Sequence, residues 1–449
     1  MFPYLPHTPE EIGSMLDSLG LPDLESLFSD IPGDLKLKAP LRLHDGLAEY
    51  DILREGRRLA GMNRSDYVSF MGCGSYDHVI PQTVSHVLSR SEFYTAYTPY
   101  QAEIAQGMLQ SIFEFQTMIC ELTALDVSYA SLYDGATAAV EAAVMAVNAS
   151  PGGGDTILYS KTLHPFTREV LRTHFANSRV KLGEVGERDG VTDREDLLRR
   201  LGPGTAGVIC QSPNWYGCLE DYEGLAEVIH EKGALFIISS NPMSLGLLKP
   251  QGEWGADIGI GDTQPLGLPR SFGGPSVGYI AARENLLRKM PGRIVGQSLD
   301  VDGKRAFLLT LQAREQHIKR QRATSNICSN QALFALATSV YLATMGREGL
   351  REVCGINMDN ARYLRDLLSR VPGVRQAYDS PFFNEFVVKL PANAEAACTR
   401  VRERGILAGV PLRRVDPEAE PDLLLVAATE KRTAAEMDRF AEVLGEALR

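Results

Sequence analysis

Residues 92–107 read EFYTAYTPYQAEIAQG, with tyrosines at 94, 97 and 100 around a Thr-Pro step, then Gln101 and Glu103 opening a helix. Aromatic rings with polar tips combine contact area with a hydrogen bond, which suits the lining of a small polar-ligand site. The plainer use of such a segment is to seal an interface, and composition alone favours it. A second group lies in AREQHIKRQRATSNICSNQA (313–332), where Arg314, His317 and Arg320 or Arg322 share a helix face at three- and four-residue spacing. Such faces are usually solvated; a partner carboxylate or a substrate anion is the sharper use. A third segment, SLYDGATAAVEAAV (131–144), sets small and polar residues just before a long helix. Amides at a helix N-terminus suit a phosphate or another anion, although the segment taken alone reads first as a tight loop with a helix cap.

The stretch DIGIGDTQPLGLPRSFGGPSVG (257–278) has the outline of a strand, a polar turn and a glycine-rich loop entering the strand VGYIAA. Its outward candidates are Asp262, Thr263 and Gln264, and the turn holds no lysine. Lys249, in LGLLKPQGEWG, precedes a proline on the connection before that strand. That is the wrong end for a site, since ligands of parallel sheets gather at the carboxyl ends of strands. Asp257 starts the strand and reads as structural. No histidine–cysteine cluster has metal-ligand spacing, so no metal is expected, and no nucleophile-elbow motif is present.

The elements that must position these residues alternate. Helices are expected at 103–125, 136–149, 167–175, 193–201 and 221–232. Between and after them lie apolar runs at 156–160, 179–185, 206–212, 234–240, 257–261 and 277–282. Apolar strands alternating with helices imply a largely parallel sheet covered on both faces. Ahead of it, Thr8-Pro9-Glu10-Glu11 has the order of a capped helix start, followed by helices at 21–28 and 45–61. Beyond 303 a long helical tract (304–347, broken near ATSNICSN) leads to a helix at 348–371. A small α/β unit follows, with EFVVKL, a helix at 394–404, ILAGVPL, DLLLVAAT and a last helix at 431–448. The organisation is a helical N-terminal arm (1–65), a large α/β domain (66–302), and linking helices with a small C-terminal α/β domain (303–449).

Composition sets limits. A net charge of -11 argues against nucleic acid as the main partner, and no apolar run approaches the roughly 20 residues that span a bilayer. The N-terminal residues lack the basic-then-apolar layout of a signal peptide. Seven scattered cysteines, never in a CxxC pair, suit free thiols in a reducing cytosol. A cytoplasmic protein is expected.

The layout is similar to that of the aminotransferase-like, fold type I pyridoxal-phosphate enzymes, with a mostly parallel seven-stranded sheet. By itself this is fold-level analogy. YTPYQAEIAQG, REQHIKRQRATSNICSNQ and QPLGLPRSFGGPSVGYIAA make the resemblance specific: from about residue 2 to the C-terminus the chain resembles the N-terminal half of the glycine cleavage system P-protein. It looks like the alpha subunit found where that enzyme is split into two polypeptides.

The resemblance implies decarboxylation of glycine and transfer of the aminomethyl group to the lipoyl arm of H-protein, with pyridoxal phosphate as the electron sink. It also implies that the Schiff-base lysine belongs to the partner beta subunit, in an assembly of two alpha and two beta chains. In the fold type I pattern Gln264 falls near the lysine position, and Ser240 or Asn241 falls near the acid that would hold the pyridine nitrogen protonated. Both essentials are missing together, so no catalytic residue is expected in this chain. The residues expected to reach toward the partner's site are Tyr97, Thr98, Tyr100, Gln101 and Glu103, with Thr324, Ser325 and Asn326 behind them. Arg293 is expected to steer the glycine carboxylate or an acidic H-protein surface. The rival readings are a purely structural or regulatory subunit, and an autonomous enzyme using Lys249.

Overall fold

A computed structural model describes every residue of the chain except Met1–Pro3, Leu5 and Ser329. Part of the N-terminal stretch read for a signal peptide and one position of ATSNICSN therefore lie outside the described residues. Contacts divide the chain into two units, Met1–Ser65 and Asp66–Arg449.

The first unit holds the expected helix, Pro9–Leu19, started by a reciprocal cap. Thr8 accepts from the Glu11 amide (3.3 Å) while Glu11 accepts from the Thr8 amide (2.8 Å). The segment at 21–28 shortens to a 3-10 turn, Leu24–Phe28, and a second helix runs Glu49–Ala60. No described residue of this unit is buried.

The second unit is built on a seven-stranded sheet. Its strands are β1 (Val127–Ser128), β2 (Thr156–Ser160), β3 (Lys181–Val185), β4 (Thr205–Gln211), β5 (Leu235–Ser240), β6 (Ile258–Asp262) and β7 (Gly278–Ala282). Their order across the sheet is β3-β2-β4-β5-β6-β7-β1. The strands from β3 to β6 run parallel, and β7 is antiparallel to both neighbours. Side chains alternate between faces along each strand. Ile209, Ile237, Ile258 and Ile260 pack with Leu109, Ile112, Ala139 and Ala143 of the helices Gln106–Thr123 and Gly135–Ala149. Val208, Cys210, Phe236 and Ile238 face the other layer, against Leu197, Leu225 and Ile229.

The tract expected as helix over 304–347 begins instead with a hairpin, β8 (Ile294–Leu299) and β9 (Arg305–Thr310). Its turn closes through Asp300, whose side chain accepts from the amides of Asp302 and Lys304, and through Gly303 at φ 76. Apart from the single helical turn Gln316–Lys319, helix resumes at Ala332 and runs to Leu368, and the non-helical Gly346 (φ 60, ψ -175) divides it into two helices, the second starting close to the expected 348. The helix expected from 103 starts at Gln106, after a 3-10 turn, Ala102–Ile104. A second sheet of β10 (Arg375–Gln376), β11 (Glu385–Lys389), β12 (Val410–Pro411) and β13 (Leu423–Ala427) has the order β10-β11-β13-β12 and is antiparallel throughout. Phe386, Val388, Leu424 and Val426 pack there with Val401, Phe440 and Leu444 of the last two helices. ILAGVPL splits at Gly409 (φ 140): Ile406–Leu407 pairs with Val68–Ser69, and only Val410–Pro411 joins the second sheet.

Candidate functional site

The carboxyl ends of β5 and β6 meet the N-terminus of the helix Gly135–Ala149, the geometry in which a parallel sheet presents its ligand site. Here that place is taken by the chain's own side chains. Asp262, the last residue of β6, accepts from the Gly135 amide (3.0 Å), the Gln264 amide (2.9 Å) and the Ser276 hydroxyl. Burial raises its carboxyl pKa against the pull of these three donors. Asp134 caps the same helix, accepting from the Thr137 amide (2.7 Å) and hydroxyl (2.8 Å). Space is short as well: a Cβ on Gly135 would lie 3.1 Å from the Asp262 Cβ, and one on Gly278 would lie 2.1 Å from the Asp134 carbonyl oxygen.

Gln264 is buried, and its amide is held by backbone alone. Its Oε1 accepts from the Tyr76 amide (2.9 Å), and its Nε2 donates to the carbonyls of Tyr76 (2.9 Å) and Leu268 (2.9 Å). From Tyr76 the chain of hydrogen bonds continues: its hydroxyl donates to Glu385 Oε1 (2.5 Å), and Glu385 Oε2 accepts from the Cys73 amide (2.9 Å). Glu385 starts β11, so the strand end of the main sheet is tied to the second sheet through buried polar groups. Burial lifts the Glu385 carboxyl to about 7. The Cys73 thiol, 3.3 Å from His164 Nε2, is pushed up to about 12, and His164 is pushed down to about 4. Burial is the main cause of both shifts, and it leaves this pair a neutral thiol beside a neutral imidazole, without an activated nucleophile.

Ser240 and Asn241 do not face this position. Ser240 shares the opposite face with Ile238, lining with Ser212, Glu220 and Lys249 a cavity of about 100 Å³. Asn241 turns back on its own loop, accepting from the Met243 amide (3.0 Å). The period of two along β5 puts Ser239 on the helix side with Ile237 instead. Lys249 is exposed, 4.0 Å over the Trp254 ring and 3.5 Å from Glu223. Asp257 accepts from the Phe236 amide (2.8 Å) and pairs with His230 (2.7 Å).

A family model described as glycine cleavage system P-protein matches residues 3–444. The chain belongs to the glycine cleavage system P-protein family. It is 50% identical over 444 residues to the "Probable glycine dehydrogenase (decarboxylating) subunit 1" of Carboxydothermus hydrogenoformans, covering 98% of this chain and 99% of that one. To the protein of the same name from Moorella thermoacetica it is 50% identical over 441 residues, covering 98% of each. Among solved structures, a glycine decarboxylase (P-protein) of the glycine cleavage system in inhibitor-bound form superposes with a TM-score of 0.89 at 44% identity, over 99% of this chain and 100% of that one. A Lactobacillus brevis glutamate decarboxylase shares the fold at a TM-score of 0.70 and 14% identity, over 92% and 95% of the two chains.

The other candidate residues of this P-protein chain lie on loops around a second, open group. Arg293, only 3% exposed, stacks its guanidinium 5.5 Å from the Tyr100 ring centroid, with Nη2 3.4 Å from the Tyr100 hydroxyl and Nε 3.6 Å from Glu315. His317 stands edge-on to the same ring at 6.0 Å, and its Nδ1 is 3.7 Å from Glu315. Ser325 donates to the buried Glu141 (2.9 Å), whose carboxyl burial lifts to about 7. The buried Tyr129 hydroxyl feels the charges of Arg293, Glu141 and Glu315 at once. Arg293 Nε, Arg314 Nη1, Glu315 Oε1 and the Tyr129 hydroxyl all lack a hydrogen-bond partner. Buried polar groups are ordinarily satisfied, so this group is set apart from the strand end, where Gln264 is fully bonded.

Tyr100, Arg293 and Ser325 are thus brought around Tyr129. Tyr97 (79% exposed), Gln101, Glu103, Thr324 and Asn326 stand exposed on the flanking loops, and Thr98 is half-buried. The expected arginine face does not form. Gln312–Arg314, Gln316–Lys319 and Arg320–Arg322 are three separate single turns, and Arg314 spends its donors on the carbonyls of Leu311 and Gly292. Glu315, Tyr129 and Glu141 escape sequence reasoning, because a lone buried acid or tyrosine has no spacing signal. Gln106, which clamps the tyrosine segment to β9 through the Phe307 amide and carbonyl (2.9 Å each), could have been noticed as a glutamine at a helix start.

Proposed function

We propose that this chain is the alpha subunit of a two-part glycine decarboxylase, acting in the cytoplasm, and that the pyridoxal phosphate is carried by its partner beta subunit. In the assembled enzyme, of two alpha and two beta chains, glycine loses carbon dioxide and the aminomethyl group passes to lipoylated H-protein. The observation that carries this reading is Gln264. Near the expected lysine position stands an amide whose hydrogen bonds all go to backbone, beside a carboxylate at the helix terminus. This chain offers no amine there and no room for a phosphate. Its own contribution is at the entrance to the partner's site. Tyr97, Thr98, Tyr100, Gln101 and Glu103 line it, Thr324, Ser325 and Asn326 stand behind them, and Arg293 draws in a carboxylate.

The test is reconstitution with the beta subunit and a glycine–bicarbonate exchange assay. Tyr97→Ala or Gln101→Ala should cut exchange by about tenfold or more through lost positioning, with assembly intact. Unchanged exchange in an intact assembly would favour a scaffold role, and exchange by this chain alone would favour the autonomous enzyme.

A further inference from the structure

The P-protein family implies a phosphorylated cofactor, and the residues at this strand end do not fit one. We infer that Asp262 is a built-in anion: its carboxylate holds the helix N-terminus that a cofactor phosphate would need, so this chain excludes phosphate monoesters even when an amine is supplied at position 264. The inference rests on the reading above that this chain is the cofactor-free member of a pair, and it names the residue that enforces that state.

A helix N-terminus offers unpaired amides and a positive field to one anionic group. Of the amides in the first turn, that of Gly135 already donates to Asp262 (3.0 Å) and that of Thr137 to Asp134 (2.7 Å). An entering phosphate would find two of the first-turn amides used and two carboxylates beside them, a like-charge arrangement that disfavours a second anion. The Ser276 hydroxyl, in the glycine-rich loop where it could bond a phosphate oxygen, also donates to Asp262. The Gly135 Cα packs so closely on the Asp262 side chain that a single added carbon would sit 3.1 Å from its Cβ. Finally, Asp262 accepts from the Gln264 amide (2.9 Å), which fixes the turn that presents the Gln264 side chain to Tyr76. Carboxylate, turn and Tyr76 are one connected arrangement, and replacing Gln264 alone leaves the carboxylate in place.

The experiment uses the full chain with pyridoxal 5′-phosphate as probe, followed by borohydride reduction and peptide mapping at position 264. We expect Gln264→Lys to be labelled at position 264 no more than the surface lysines. The pair Gln264→Lys with Asp262→Ser, which removes the carboxylate and leaves a hydroxyl donor, should be labelled there about tenfold more, in line with the loss of a like charge at a helix terminus. If that pair does not fold by circular dichroism, Gln264→Lys with Asp262→Asn keeps the shape, removes the charge and carries the same expectation. Near-stoichiometric labelling of Gln264→Lys alone would overturn the inference, and so would a folded double variant labelled no better than the single one. Failure of glycine–bicarbonate exchange in the assembled complex would sink the reading of function and leave this labelling comparison untouched.

Discussion

Two regions of this chain look like sites, and they differ in how their polar groups are satisfied. At the β6 strand end, Asp262 and Gln264 find partners within the chain, and the hydrogen bonds run on through Tyr76 to Glu385. Around Tyr100, by contrast, Arg293 Nε, Glu315 Oε1 and Arg314 Nη1 remain without hydrogen-bond partners beneath exposed tyrosines. The strand end is closed by the chain's own side chains, while the buried groups beneath Tyr100 keep donors and acceptors in reserve. The difference also separates two kinds of mutation. At the strand end, changes should act through stability and through what can enter. At the open edge, changes at exposed tips should spare stability and act on the assembled enzyme.

The largest expected effect probes the floor of the open region. Arg293→Ala removes the buried countercharge nearest Glu315, which costs about 3 kcal/mol. A loss of that size in the unfolding free energy from urea denaturation is expected, seen as a lower midpoint, with Arg293→Lys losing less. An unchanged midpoint would mean that the Arg293–Glu315 pair is solvated, and the contrast with the strand end would be lost. Next comes pH dependence at the strand end. Burial raises Glu385 from 4.5 to about 7 in the folded chain. Its stabilising contribution is therefore full below about pH 4.5, where both folded and unfolded forms are protonated. It fades as pH rises through about 7, because the folded chain holds the proton more tightly than the unfolded one. Between pH 5 and 8 this group should remove on the order of 2 kcal/mol. Glu385→Gln, which cannot ionise, should lose that slope in chemical denaturation followed across the range; equal slopes would count against a buried carboxyl there. The smallest effect is at Lys249→Ala, within about 0.5 kcal/mol in stability and without change in glycine exchange, as expected of an exposed side chain resting on Trp254. Abolished exchange would move the chemistry to Lys249 and undo the comparison from the other side.

Much of the fold was legible because its strands are short apolar runs rich in β-branched residues, such as GVIC in β4 and FII in β5, separated by periodic helices. The hairpin of β8 and β9 is hidden in the sequence although Asp302-Gly303 is a turn signal. Its flanks carry arginines and glutamines that blend into the helical composition beyond. In the site, Gln264 was found through the glycine-rich loop that follows it. The family pattern points to Ser240, whereas strand periodicity favours Ser239, a one-residue slip that carries a side chain to the other face of a sheet. Asp262 was noticed as an outward residue, but its grip on Gly135 spans 127 positions of chain and leaves no local pattern. Glu315 and Glu141 were invisible for the same reason: a buried charge is recognised by what it meets.

The first unit adds a consequence for turnover. Its helices carry leucines, a capping box and a left-handed glycine stop, yet none of its described side chains is buried. Local opening governs how quickly proteases reach a backbone, and a segment without a core opens at almost no free-energy cost. The sheet, its two helical layers and the bolted strand end can be as stable as packing allows. In limited proteolysis of an unassembled chain, first cleavage is therefore expected within these helices.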